Sequence, residues 1–213
     1  MDTTSVPAAD RVYTEVKAAI LDRSLEGGSL VTEGEIAERV GVSRTPVREG
    51  LLRLEAEGLL RLIPKRGALV VPVSPEEVED VLEARELVEV HCAGVAWDRR
   101  AEIVPALQET LAAMARAREA GDAWAFMTAD RAFHAAVVGA AGNRVLGQLY
   151  EGLRDRQMRM GVAMMRGSSD RMRTAYEEHE ELLGAARGED AAHWRDLTRE
   201  HVRQAGVRLR SLR

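Results

Sequence analysis

Val40-Gly41-Val42-Ser43-Arg44-Thr45-Pro46-Val47-Arg48-Glu49 decides how the first part of this chain folds. A short apolar helix ends at Gly41, and a new helix starts at once, with Ser43 at its cap and Pro46 in its first turn, where a missing N–H costs little. Two hydroxyls and two arginines crowd the start of that second helix. Backbone N–H groups, hydroxyls and guanidinium forks presented together suit phosphates and base edges.

Upstream, Val12, Val16 and Ile20 recur every four residues and predict a first helix with one buried stripe. Gly27-Gly28 ends it. Thr32 with Glu35 has capping-box spacing for the next helix, in which Ile36 and Val40 face inward. The third helix runs through Leu51, Leu52 and Leu54 and stops at Gly58. Leu59-Leu60-Arg61-Leu62-Ile63 and Ala68-Leu69-Val70-Val71-Pro72-Val73 flank the turn Pro64-Lys65-Arg66-Gly67, which reads as a β-hairpin. Three helices and a hairpin make a winged helix-turn-helix over residues 1–73. Ser74-Pro75-Glu76-Glu77 then starts a new helix with a cap, a proline at the first position and an acid at the third. From there residues 74–213 read as an all-α bundle of about six helices, with breaks near residues 99–102, 121–122, 142–143, 167–169 and 188–190. The expected fold class is mainly α.

Composition agrees. Aromatic residues are 4% of the 213 residues, and hydrophobic residues 46%, enough for a core of helices packed on helices. The net charge of −5 hides a split. Residues 38–66 hold seven basic side chains (39, 44, 48, 53, 61, 65, 66) against four acidic ones (38, 49, 55, 57), a local excess of three positive charges. Residues 74–89 hold Arg85 alone against seven acids. Such blocks imply separate jobs. A single cysteine, Cys92, excludes an intramolecular disulfide, fits a reducing cytoplasm and is expected to be a buried, inert thiol. Neither a signal peptide nor an apolar stretch of membrane-spanning length is apparent, so a cytoplasmic protein without membrane association is expected.

In a helix-turn-helix the second helix enters the major groove with its N-terminal residues toward the bases. Ser43, Arg44, Thr45 and Arg48 are the candidates there. Arg44 and Arg48, four apart, emerge from one face and suit bidentate contacts to guanine, while Ser43 and Thr45 suit phosphates. Arg66 and Gly67 occupy the wing tip, where a glycine would let the backbone approach the minor groove or a phosphate. The competing reading is a solvated helix whose Ser43 merely caps and whose Arg48 pairs with nearby acids. In the bundle, Asp130 and His134 share a helix face, while His179 and His201 fall on two other predicted helices. Facing helices can bring such groups to one ion, and three imidazoles with a carboxylate suit a borderline divalent metal such as Zn, Ni or Mn with positions left open. Each of these residues also has an ordinary structural explanation.

Glu35-Ile36-Ala37-Glu38-Arg39-Val40-Gly41-Val42-Ser43-Arg44-Thr45-Pro46-Val47-Arg48-Glu49-Gly50-Leu51, continued by Leu54-Glu55-Ala56-Glu57-Gly58-Leu59 and the Arg66-Gly67 turn, resembles the DNA-binding signature of the GntR family of bacterial regulators. The resemblance covers about residues 12–73. It implies a homodimer on a palindromic operator in double-stranded DNA, with contacts from Ser43, Arg44, Thr45, Arg48 and Gly67. Two positions depart from the pattern: Gly50 replaces the usual Ala, which costs helix propensity, and Gly34 stands where the fatty-acid-responsive member has a DNA-contacting Arg. Asp130-x-x-x-His134, His179 and His201 resemble the ligand pattern of the FCD effector domain in the FadR branch, over roughly residues 75–207. That likeness implies a metal at those four positions and a small organic-acid effector. Arg85 matches a family arginine beside the effector pocket, with a salt bridge to Glu89 as the alternative. Asn143 matches the domain pattern too, although turn formation accounts for it. His91 and His193 match no ligand position. The reading that follows is a DNA-binding regulator, most often a repressor in this family, controlled by a carboxylate metabolite. The alternatives are a metal-dependent enzyme with a DNA-binding appendage and a constitutive DNA binder with a structural metal.

Overall fold

The computed structural model describes residues 6–210, and the chain divides into two compact units, Met1–Val73 and Ser74–Arg213. In the first unit, helices α1 (Ala8–Leu21), α2 (Glu33–Val40) and α3 (Arg44–Ala56) are joined by strands β1 (Leu30–Val31), β2 (Leu60–Ile63) and β3 (Gly67–Val70). The sheet is antiparallel in the order β1-β3-β2, with Leu30 opposite Leu69 and Ile63 opposite Gly67. The sequence predicts β2 and β3 but not β1. Two residues carry no periodicity of their own, and β1 exists because β3 offers it a paired edge.

The predicted capping box is present: Glu35 N donates to Thr32 Oγ1 at 3.2 Å and Thr32 N donates to a Glu35 carboxylate oxygen at 2.7 Å. Gly41 closes α2 in the left-handed region at φ 71°. The expected apolar stripes meet in one core, where Val12, Val16, Ile20, Ile36, Val40, Val47, Leu51 and Leu54 pack with Leu60, Ala68 and Val70. Leu52, by contrast, is exposed.

Gly50 is a requirement of packing rather than a defect. A Cβ there would stand 2.7 Å from Val12 Cγ1 and 3.1 Å from Ala9 O, so α1 crosses α3 directly over it.

The second unit holds α4 (Pro75–Ala96), a 3₁₀ turn (Trp97–Arg99), α5 (Arg100–Ala120), α6 (Ala123–Ala140), α7 (Arg144–Gly152), α8 (Arg154–Met165), α9 (Ser169–Arg187) and α10 (Ala191–Arg210). Ser74 caps α4 by accepting from Glu77 N at 3.0 Å. The described residues thus contain seven helices in this unit, not six. The missed break separates α7 from α8 at Leu153, which keeps helical angles (φ −83°, ψ −10°) and serves as the end of one helix and the cap position of the next. No polar cap marks such a joint. Cys92 is fully buried, as expected.

Elsewhere an exposed helical Gly→Ala change gains about 1 kcal/mol in propensity. Here Gly50→Ala is expected to lower the stability of the winged unit by roughly 1–3 kcal/mol, because the added methyl overpacks the helix crossing. A fall in Tm by calorimetry is the readout, and a rise would refute the close crossing.

Candidate functional site

In the winged unit, Ser43, Arg44, Thr45 and Arg48 are all exposed on the first two turns of α3. Ser43 occupies the cap position, yet its hydroxyl makes no capping hydrogen bond, in contrast to Thr32 on α2. The hydroxyl is therefore not committed to capping at an exposed helix start, a chemistry that suits an anion. Arg48 donates from Nε to Glu33 Oε1 at 2.8 Å while its side chain stays 69% exposed. The pairing foreseen as the alternative for Arg48 does occur, but in water, where such a pair is readily exchanged for a phosphate. A groove between α3 and the wing turn is bordered by Arg44, Arg48, Lys65 and Arg66, with Glu33 as the acid among them. The charge count does not single out Lys65 or Glu33, and only the fold gathers them here.

The sheet by itself requires Gly67. Its φ is 118°, and a Cβ would lie 2.2 Å from Val31 O on β1. The close approach of β1 thus adds a reason for glycine that the sequence does not show.

In the bundle, α6 supplies Asp130 and His134, α9 supplies His179 and α10 supplies His201. One ligand atom from each of these four lies within 4.8 Å of every other. All four are buried, with His179 completely so. Each imidazole is held from behind: His134 Nδ1 lies 3.1 Å from Glu89 Oε2, His201 Nδ1 3.0 Å from Glu178 Oε2, and His179 Nδ1 2.7 Å from Ala175 O. A carbonyl oxygen can only accept, so His179 Nδ1 carries a proton, and Glu89 imposes the same on His134. Their Nε2 atoms then face each other at 3.1 Å as bare lone pairs, with Asp130 Oδ1 3.4 Å from His179 Nε2. Three acceptors converge and no donor is shared among them. That is the donor set a cation requires, and nitrogens bound to a tetrahedral zinc stand roughly 3.3 Å apart.

Electrostatics point the same way. Burial, then the neighbouring His201 and His179, pushes the His134 pKa well below its usual value. Burial lowers that of His179 to about 4, against the pull of Asp130. Burial would raise Glu178, but hydrogen bonds from His201 and Arg208 outweigh it and bring its carboxyl down to about 2.

A small cavity opens beside the cluster, lined by Asp130 and His201 together with Arg85, Tyr150, Gln157 and Arg208. Arg85 is among its lining residues, and the salt bridge foreseen as the alternative is present, with Nε donating to Glu89 Oε1 at 2.7 Å. Glu89 in turn accepts from the Tyr150 hydroxyl at 2.8 Å. Asn143 does not line the cavity. Its Oδ1 accepts from Val145 N at 3.0 Å and Leu146 N at 3.2 Å as the cap of α7, so turn formation accounts for it and the effector role read from the resemblance gains no geometric support. Glu178, Tyr150, Gln157 and Arg208 are absent from the sequence reading of the site, and Glu89 enters it only as the salt-bridge partner of Arg85, four residues away on the same helix.

The FCD domain model matches residues 80–204, and the model of the bacterial regulatory proteins of the gntR family matches residues 8–70. An HTH-type transcriptional regulator in an unstable DNA locus of Streptomyces ambofaciens is 32% identical over 202 residues, covering 90% of this chain and 80% of the relative. The HTH-type transcriptional repressor GlaR of Escherichia coli strain K12 is 26% identical over 200 residues, covering 89% and 90%. Among solved structures, E. coli McbR/YncC superposes with a TM-score of 0.76 over 98% of this chain and 99% of that one at 24% identity, a likeness of fold. Fold and sites define a DNA-binding transcription regulator with a separate helical domain. The chain belongs to the GntR family and carries an FCD domain; these families and relatives are regulators, not enzymes. Among the described residues, no helix is long and apolar enough to cross a membrane.

The histidine shifts set a pH dependence. A folded pKa below the unfolded value of about 6.5 means that the unfolded chain binds more protons between that pH and the folded value. Stability is therefore full above about pH 6.5 and is lost as pH falls toward about 4, the His179 value. Chelator-stripped protein should show a Tm that declines steadily across this window in thermal melts, and a flat profile would contradict buried neutral imidazoles.

Proposed function

We propose that this protein is a cytoplasmic, homodimeric regulator, acting as a repressor, that binds a palindromic operator and is controlled by a small organic acid. Arg44 and Arg48 read base edges, Ser43, Thr45 and Arg66 hold phosphates, and the Gly67 backbone brings the wing to the duplex. Asp130, His134, His179 and His201 hold one divalent ion, of which Zn, Ni and Mn suit the donor set. The observation that carries this reading is the convergence of three buried imidazoles and a carboxylate, each imidazole braced at Nδ1. An ion held by these residues would supply a Lewis-acid site for a carboxylate, and Arg85 lines the cavity that Asp130 and His201 also line. An effector switches the protein only if it favours one arrangement of the paired winged units over another, since half-site spacing must match the operator.

Two tests follow from this. A bidentate arginine–guanine pair discriminates by at least ~1 kcal/mol, and a dimer loses two of them, so Arg44→Ala should weaken operator binding by about 30-fold or more with an unchanged Tm. Undiminished operator shifts would refute the recognition-helix assignment. Elemental analysis should find one metal per chain, and His179→Ala should abolish it and leave melting insensitive to chelator. Metal-free protein with no chelator response and operator binding that ignores every acid tested would instead mark a constitutive DNA binder.

A further inference from the structure

A carboxylate at the start of α2 gives the groove beside α3 a selectivity that its arginines lack alone, given the recognition-helix reading above. Glu33 is the first residue of α2, and the Thr32–Glu35 capping box fixes the backbone on which it stands. Of this turn, Thr32, Glu33 and Gly34 line the groove, and Glu33 is the only charge among the three. The other charges on the lining are all positive: Arg44, Arg48, Lys65 and Arg66.

Glu33 takes one edge of one arginine. Its Oε1 accepts from Arg48 Nε at 2.8 Å, with the Glu33 side chain 27% exposed and that of Arg48 69% exposed. Arg48 Nη1 and Nη2 and Glu33 Oε2 make no hydrogen bond among the described residues. A guanidinium presents its N–H donors in a fixed fork. With Nε engaged, the two terminal nitrogens remain as an end-on pair, which matches O6 and N7 of guanine. A free arginine must be ordered at the moment of binding, with a loss of rotamer entropy. A carboxylate on a neighbouring capped helix orders it before DNA arrives.

The same carboxylate works against phosphate. Non-specific binding is electrostatic, so it follows the net charge of the groove. Glu33 cancels one of the positive charges that line it. A phosphate that displaces Glu33 from Arg48 leaves a carboxylate unpaired against the polyanion, whereas a guanine requires no such exchange. Like charges brought together in this way select against the wrong contact.

We propose that Glu33 is a positioning and specificity-determining residue: it presents the terminal nitrogens of Arg48 to a guanine and disfavours their use on the phosphate backbone. Its effect falls on the choice of DNA rather than on stability, because an exposed ion pair contributes little.

The test uses the full-length protein. Selection from a library of random-sequence duplexes supplies a preferred duplex, whose base pairs are then varied singly and the Kd measured at fixed salt. Arg48→Ala marks the base pair that Arg48 reads, as the position where it erases a preference for guanine. At that pair Glu33→Ala should reduce the preference for guanine by about fivefold or more, and should tighten binding to an unselected duplex by about threefold or more, with Tm little changed. Glu33→Gln keeps an acceptor for Nε and removes the charge. It should gain the same non-specific affinity and retain more of the preference. Glu38→Gln, an equal charge change at an exposed position of α2 outside the groove lining, should leave the preference intact. An intact preference in Glu33→Ala, or equal weakening on all duplexes with a fall in Tm, overturns the role of Glu33 and leaves the recognition-helix reading standing. The same loss of preference in Glu38→Gln assigns the effect to net charge and overturns that role too. An Arg48→Ala variant that loses no guanine preference overturns the reading of Arg48, and this inference with it. Failure of the unaltered protein to select any duplex overturns both.

Discussion

Two buried imidazole nitrogens held 3.1 Å apart are the constraint around which the bundle is organised. Left alone they repel. The structure enforces their approach from outside, because the Ala175 carbonyl and the Glu89 and Glu178 carboxylates pin each ring by its other nitrogen. Those two glutamates would be costly in the core without cations, which places Arg85 and Arg208 where they are. Four helices are thereby tied to one point through groups that tolerate little displacement. Helices α4, α6, α9 and α10 each contribute a side chain to this network.

The same economy of contacts governs the winged unit, where two glycines mark the places at which backbone or side chain comes too close for any other residue. Gly50 lets α1 cross α3, and Gly67 lets β1 add to β3. Both serve to present α3 with its first turns exposed. A recognition surface must remain desolvation-ready and charged, so it cannot be stabilised by the contacts it makes in the unbound protein. The helix behind it is therefore held by its opposite face, through Val47, Leu51 and Leu54.

The proposed function asks for only a modest energetic link between the DNA-binding and effector sites, of about 1–3 kcal/mol. The bracing of each imidazole at Nδ1 would give that link elements with few alternative positions.

How much of this was legible in the chain follows from the range of each interaction. Capping at Thr32 and Ser74, the glycine stop at Gly41, the helical stripe of Val12, Val16 and Ile20 and the Arg44–Arg48 pair are local, and the sequence alone determined them. The four converging positions Asp130, His134, His179 and His201 were also readable, but through a family resemblance, because nothing in their separate helices announces convergence. Strand β1, the break at Leu153, the need for Gly50 and Gly67, and the bracing of the imidazoles by Glu89 and Glu178 were decided only by tertiary structure. Each depends on a partner distant along the chain or on a joint that leaves no polar or glycine signal, and a sequence records a residue's own preferences far better than the company it will keep.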